Sequence, residues 1–129
     1  MILVDIIGLL AVLQLLVFGM LVGRARGKYG VKAPAITGNP VFERFYRVQM
    51  NTVETLIVFL PSLWLAAKYW SPRYVAILGA IYLVGRVLYG IAYVSDPQKR
   101  GTGFMLSMVP TVTLLIAALI GAIRALVQN

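Results

Sequence analysis

Long apolar runs separated by short polar breaks make up this chain, and neither the two-residue alternation of strands nor the one-sided stripe of soluble helices prevails. An α-helix rises about 1.5 Å per residue, so about 20 apolar residues cross a hydrocarbon core roughly 30 Å thick. Four segments reach that length: Ile2 to about Val22, about Gln49 to Trp70, about Tyr74 to Val94, and Phe104 to Val127. Together they take up most of the chain and leave no room for a soluble domain. The pattern predicts an all-α integral membrane protein, a four-transmembrane-helix bundle built as two helical hairpins, with residues 1–129 forming one domain. The first segment has no basic leader and carries Asp5 in a long apolar run, so it reads as a permanent span and not as a cleaved leader.

The breaks have chemical causes. Asn39-Pro40 and Ser71-Pro72 each set a capping side chain before a proline at the first helical position, which predicts the starts of the second and third helices. Asp96-Pro97 and Gly101 interrupt the chain before the fourth. Pro61 and Pro110 fall inside spans, where local kinks are expected because proline frees a carbonyl that neighbouring helices must satisfy. The chain shows no internal repeat and no low-complexity tract.

Charge orients the bundle. The chain has 12 Lys and Arg against 4 Asp and Glu, a net +8, within a composition that is 60% hydrophobic. Arg24, Arg26, Lys28, Lys32, Arg44 and Arg47 follow the first span, and Lys99 and Arg100 follow the third. Only Lys68, Arg73 and Arg124 fall on the other side. The positive-inside rule then places loops one and three in the cytoplasm and both termini on the non-cytoplasmic side. The compact loops point to a bacterial inner membrane. Basic loops also touch anionic membrane lipids. Spread over helix ends without a reading motif, these charges argue against nucleic acid as a partner.

With no His and no Cys, the usual transition-metal sites, a thiol nucleophile and a His general base all fall away, and no metal is expected. The acids are Asp5, Glu43, Glu54 and Asp96. Chemistry here would require Arg and Tyr to stabilise an anion that the substrate supplies.

The polar residues that do enter the spans are patterned. At roughly 100° per residue, Glu43, Arg47, Met50, Asn51 and Glu54 share one face of the second helix, and Gln49 lies on a neighbouring face. Tyr82, Arg86, Tyr89 and Tyr93 form a matching stripe on the third. Ionisable groups within a membrane face protein or a watery cavity, so both faces are expected to point inward. Glu54 with Arg86, or Glu43 with Arg47, could serve as plain ion pairs. Yet Arg47, Asn51, Glu54, Arg86, Tyr89, Tyr93 and Arg100 supply more donors than two carboxylates can occupy.

FERFYRVQMNTVE, Phe42 to Glu54, closely resembles the second-helix signature of the membrane-associated proteins in eicosanoid and glutathione metabolism, the MAPEG family. LVGRVLYGIAY, Leu83 to Tyr93, is similar to that family's third-helix pattern. The resemblance covers nearly the whole chain and implies a homotrimer that binds glutathione as co-substrate between protomers near the cytoplasmic surface. It implies that Arg47, Asn51 and Glu54 hold the tripeptide with Gln49 beside them, that Arg86, Tyr89 and Tyr93 are third-helix contacts, and that Arg26 is a first-helix contact. Arg100 matches the arginine that stabilises the thiolate, with Lys99 and Thr102 as neighbouring candidates. The implied activity is conjugation of glutathione to a hydrophobic electrophile arriving from the lipid, or reduction of a lipid hydroperoxide. The alternative is a non-catalytic lipid-binding protein similar to the family's lipoxygenase-activating branch.

Overall fold

A computed structural model describes residues 1–129 as an all-helical chain without strands. Its helices are α1 (Ile2–Tyr29), α2 (Pro40–Tyr69), α3 (Pro72–Ser95), a 3-10 turn over Pro97–Arg100, and α4 (Gly101–Gln128). All four long helices have the length and apolar content to cross a membrane.

The helices outrun the apolar segments that predicted them. α1 continues past Val22 to Tyr29, and α2 starts at Pro40 well before Gln49. Hydropathy marks where lipid contact ends, whereas backbone hydrogen bonding continues through Arg24–Lys28 and Glu43–Arg47, where Ala, Arg, Lys and Glu favour the helix despite Gly27. Capping sets the true ends. Gly30 takes the left-handed conformation, φ 68°, and its N–H closes on the Arg26 carbonyl. Asn39 Oδ1 accepts from the Val41 and Phe42 amides at 2.9 and 3.1 Å. Ser71 does sit at the N-cap of α3, but its hydroxyl makes no capping bond, so Pro72 is the remaining start signal there. α2 and α4 run through Pro61 and Pro110 without interruption.

α2 and α3 form the centre. α1 and α4 each pack on both of them and hardly meet one another. Asp5 accepts from Trp64 Nε1 at 2.8 Å, and Tyr69 packs on Gly121, so both chain termini share one end with the α2–α3 turn. The α1–α2 loop and the 3-10 turn share the other. The main core holds Val4, Leu63 and Leu114, with Phe59 stacked on Tyr82 at 3.8 Å between ring centroids. The outward faces are lined by exposed Leu, Ile and Val, as a lipid-facing surface requires.

The α3–α4 contact is the tightest. A methyl group at Gly85 would meet the Leu106–Ser107 backbone, and one at Gly103 would meet the backbone of Tyr89. Small residues at such crossings let helix backbones approach where lipid provides no hydrophobic drive for association. Gly103→Ala is therefore expected to destabilise the protein by about 1–3 kcal/mol, the usual range for an overpacked contact. Gly23, with open space at its Cβ, supplies the control, since Gly23→Ala should be neutral or stabilising by up to about 1 kcal/mol. Thermal unfolding in detergent measures both, and equal melting temperatures for the two variants would refute this account of the crossing.

Candidate functional site

The polar stripe of α3 turns inward as expected. Tyr82, Arg86 and Tyr89 are buried, Arg86 and Tyr82 completely so. Arg86 is the hub. Its Nη1 donates to Asn51 Oδ1 at 2.8 Å and to Thr52 Oγ1 at 3.3 Å, and its Nη2 donates to Ser107 Oγ at 2.8 Å. Its guanidinium carbon lies 4.3 Å from the centre of the Tyr89 ring.

The two hydroxyls are prepared for this role by their own helices. Thr52 donates to the Val48 carbonyl at 2.8 Å, and Ser107 donates into the Gly103 and Phe104 carbonyls at 3.0 Å. A hydroxyl has one hydrogen and two lone pairs, so back-bonding to the preceding turn leaves only acceptor capacity for the guanidinium. Every hydrogen-bond partner of Arg86 is neutral. A buried cation without a carboxylate beside it raises the potential of its surroundings and favours any anion that approaches.

α2's face divides. Asn51 turns in toward Arg86, while Arg47 and Glu54 face out, their side chains 51% and 60% exposed, and pair with each other at 3.5 Å. The expectation that both polar faces point inward thus holds for α3 and only partly for α2. The Glu54–Arg86 and Glu43–Arg47 pairs do not form, and Arg47–Glu54 is the only ion pair. Exposed pairs of this kind contribute at most about 1 kcal/mol, so this one leaves both groups available.

Tyr93 continues the aromatic stripe, its ring 5.6 Å from that of Tyr89. It lines a polar cleft of about 290 Å³ together with Ile36, Glu43, Arg44, Tyr46 and Arg47. Not all the predicted residues join this cluster. Gln49 lies against Gly19 of α1, on another side of α2. Arg26 donates to the Ala35 carbonyl at 2.6 Å and stacks over Phe42, and Arg100 is exposed and donates to the Pro97 carbonyl at 2.7 Å. A separate apolar groove of about 640 Å³ runs between α1, α2 and α3, with Leu13, Val17, Phe45 and Ile91 in its walls.

Three contributors escape a reading by sequence motif. Arg44 donates to the Val94 and Ser95 carbonyls at 3.1 and 3.4 Å, which caps α3 and ties α2 to it. Thr52 and Ser107 add two acceptors for the guanidinium of Arg86, whose Nε has no partner. A signal for Ser107 was present: with Gly103 it forms a small-residue pair one turn apart in an otherwise apolar helix.

The fold and this cluster define an integral membrane protein of four helices with a buried arginine at the junction of three of them. Residues 4–120 match the model of the MAPEG family, and the chain belongs to that family. It is similar to an uncharacterized protein of Synechocystis sp., 49% identical over 92% of this chain and 87% of that one. It is also similar to microsomal glutathione S-transferase 2 of Homo sapiens, 42% identical over 83% of this chain and 73% of the relative. Similarity to leukotriene C4 synthase of Cavia porcellus is 40% identity over 71% of this chain and 61% of that enzyme.

Ser107→Ala removes one acceptor from a fully buried guanidinium and should cost about 1–3 kcal/mol, the penalty for a buried donor left unpaired. Ser107→Thr keeps the hydroxyl but adds a methyl at a tight crossing. Thr52→Ser keeps the hydroxyl, removes one buried methyl and should cost less than Ser107→Ala. Unfolding in detergent ranks the three, and an unchanged melting temperature for Ser107→Ala would show that Arg86 does not depend on it.

Proposed function

We propose that the protein is a membrane-embedded glutathione transferase, built as one domain over residues 1–129, that conjugates glutathione to hydrophobic electrophiles. The observation that carries this reading is the exposed Arg47–Glu54 face lying on the same helix as Asn51, which the carboxylate-free Arg86 holds. Glutathione brings two carboxylates, an ammonium and a thiol, which call for guanidinium forks and one acid. Arg47 would take a carboxylate, Glu54 the ammonium and Asn51 the peptide backbone. Arg86 acts behind Asn51 and supplies positive potential. Tyr93 walls the polar cleft, with the buried Tyr89 ring beside it.

Arg47 and Glu54 face away from their own protomer, and Arg26 and Gln49 are turned toward α1 and its loop. All four would meet one ligand at a boundary between copies, and the homotrimer that the family resemblance implies would set glutathione between neighbouring protomers. Arg100 favours the thiolate over the thiol. The proton passes to solvent, the sulfur forms a bond to the electrophilic carbon, and the electrophile's leaving group or opened ring takes the electron pair. Reduction of a lipid hydroperoxide by the same thiolate is the related activity. The relatives named as glutathione S-transferase and leukotriene C4 synthase support this class of chemistry. The cluster of basic residues at the loop end supports a cytoplasmic site, with the termini on the outer side of a bacterial inner membrane. The apolar groove of about 640 Å³ favours a second reading, a lipid-binding protein without catalysis.

Glutathione titrated into the protein in mild detergent separates the two. Heat of binding, thermal stabilisation and a trimeric mass are expected. Glu54→Gln, which keeps the size and loses the charge, should weaken binding and leave the trimer intact. A monodisperse monomer counts against the shared site, and a trimer that ignores glutathione favours the lipid-binding reading.

Arg100 carries the pH dependence. A nearby cation lowers the thiol pKa below the roughly 8.5 of a free side-chain thiol. Thiolate and turnover should therefore rise with pH through a transition below that value and level off above it. In Arg100→Ala the transition should move upward and turnover near neutral pH should fall about tenfold for each unit of displacement. Thiolate absorbance of the bound tripeptide against pH checks this. If both profiles stay unchanged, the role passes to Lys99 or Thr102.

A further inference from the structure

Two of the polar side chains on the outer face of α2 are ions, and the one between them is an amide. Asn51 lies one helical turn from Arg47 and one from Glu54, so a ligand gripped by those two charges crosses it. A carboxamide can meet a ligand with its oxygen, as an acceptor, or with its NH2 group, as a donor. The buried side of Asn51 decides which. Arg86 Nη1 donates to Asn51 Oδ1 at 2.8 Å, and a guanidinium has no lone pair to offer in return. Turned over, the amide would set N–H against N–H and leave a fully buried cation short of an acceptor. The oxygen is therefore held inward. Nδ2 donates to no atom of the protomer and Asn51 is only half-buried, so both its hydrogens are left for the outer face.

What keeps the guanidinium at this task lies on α4. Nη1 donates to α2 alone, to Asn51 and Thr52, while Nη2 donates to Ser107 Oγ at 2.8 Å across the α3–α4 crossing. Nε has no partner, so Ser107 is the hydrogen-bonded anchor on the far side of the fork. The Tyr89 ring lies against the guanidinium and fixes its plane, but a stacked face does not stop rotation within that plane. Ser107 does. Its own hydrogen is committed to the carbonyls of the preceding turn, which leaves it an acceptor for Arg86.

We propose that Ser107 is a positioning residue for glutathione: through Arg86 it locks the Asn51 amide with its donors outward, so the tripeptide atom that meets Asn51 is a carbonyl oxygen and not a peptide N–H. This rests on the glutathione reading of the outer face of α2. Ser107 is itself fully buried and touches no ligand, so its whole effect on binding passes along the chain Ser107, Arg86, Asn51. A residue of α4 thereby sets the chemistry that α2 offers to the substrate.

The test uses the full chain in mild detergent, in the assembly it forms. With asparagine isotopically labelled at its side-chain nitrogen, Asn39, Asn51 and Asn129 each give an NH2 signal in the magnetic resonance spectrum, and Asn51→Asp identifies its own by deleting it. Without ligand, Ser107→Ala should shift the Asn51 signal and leave that of Asn39, which caps α2, in place. An unmoved Asn51 signal overturns the lock. Turnover of glutathione with an activated aryl chloride separates positioning from loss of fold. Ser107→Ala should raise KM for glutathione about threefold to tenfold, the worth of one neutral hydrogen bond, and leave kcat unchanged. A lower kcat at unchanged KM would mark a purely structural residue and overturn the proposal. In the Asn51→Ala background, Ser107→Ala should leave KM where it is, because its effect runs through that amide, and an equal rise there overturns it as well. Asn51→Asp gives Arg86 a carboxylate and takes both outward donors away, so it keeps the question open to experiment even if Ser107→Ala fails to fold. Its melting temperature should match or exceed that of the parent protein while glutathione affinity falls about tenfold or more. Affinity equal to or above the parent's would mean that the ligand donates to position 51, which overturns the orientation. A parent protein that ignores glutathione sinks the proposed activity instead, and the ligand-free Asn51 signal still decides the lock.

Discussion

A guanidinium enclosed at the junction of three membrane helices constrains the rest of this molecule. Arg86 has no water contact and no carboxylate partner, and an unsatisfied charge at such a site would cost several kcal/mol. Its stability rests on four neutral groups arriving together: the Asn51 amide oxygen, the Thr52 and Ser107 hydroxyls and the face of Tyr89. That requirement sets the rotation of α2 and α4 about α3. It also explains where glycine is needed. Ser107 reaches Arg86 only because Gly85 and Gly103 let the two backbones nearly touch on either side of it.

The same constraint shapes the candidate site. By committing Asn51 inward, Arg86 fixes the phase of α2 and so determines that Arg47 and Glu54 emerge on its outer side. Their mutual attraction across 3.5 Å is weak at this exposure, about 1 kcal/mol or less. A ligand with carboxylates and an amine can therefore replace it with two better pairs at small cost. An oppositely phased α2 would have hidden these charges. The buried network therefore acts on the site through geometry, by choosing which groups remain free.

Much of this was legible in the sequence. Four apolar runs and the Asn39-Pro40 cap gave the helices, and the i, i+4, i+7 spacing of Tyr82, Arg86 and Tyr89 gave the buried stripe. What periodicity could not decide was which of two polar neighbours turns inward. Asn51 and Glu54 lie on one face by angle, yet the neutral amide is cheaper to bury than the carboxylate, so the guanidinium took the amide. The end of α1 was placed too early because charged turns outside the oil remain helical. Arg44 was read only as a basic residue at the start of the second helix, since its partners are carbonyls of α3 that no residue code records. Ser107 looked like an ordinary small residue until the closeness of α3 was known.

The arginines at the loop end show how a positive surface can be ordered without acids. Arg26, Arg44 and Arg100 each donate to a backbone carbonyl near the end of a helix or in a loop, those of Ala35, Val94 and Pro97 respectively. Carbonyls at helix C-termini carry the negative end of the helix dipole, so they orient a cation without neutralising it. A guanidinium has five N–H donors in a rigid fork, and one such bond leaves most of them free. Anchoring by a carbonyl therefore removes part of the rotamer entropy that a ligand would otherwise have to freeze, and it preserves the charge. A salt bridge would have fixed the same side chain but cancelled its field. In a chain with only four acids, backbone carbonyls take over the task of orientation, and the net positive potential stays available to an anion that arrives from outside.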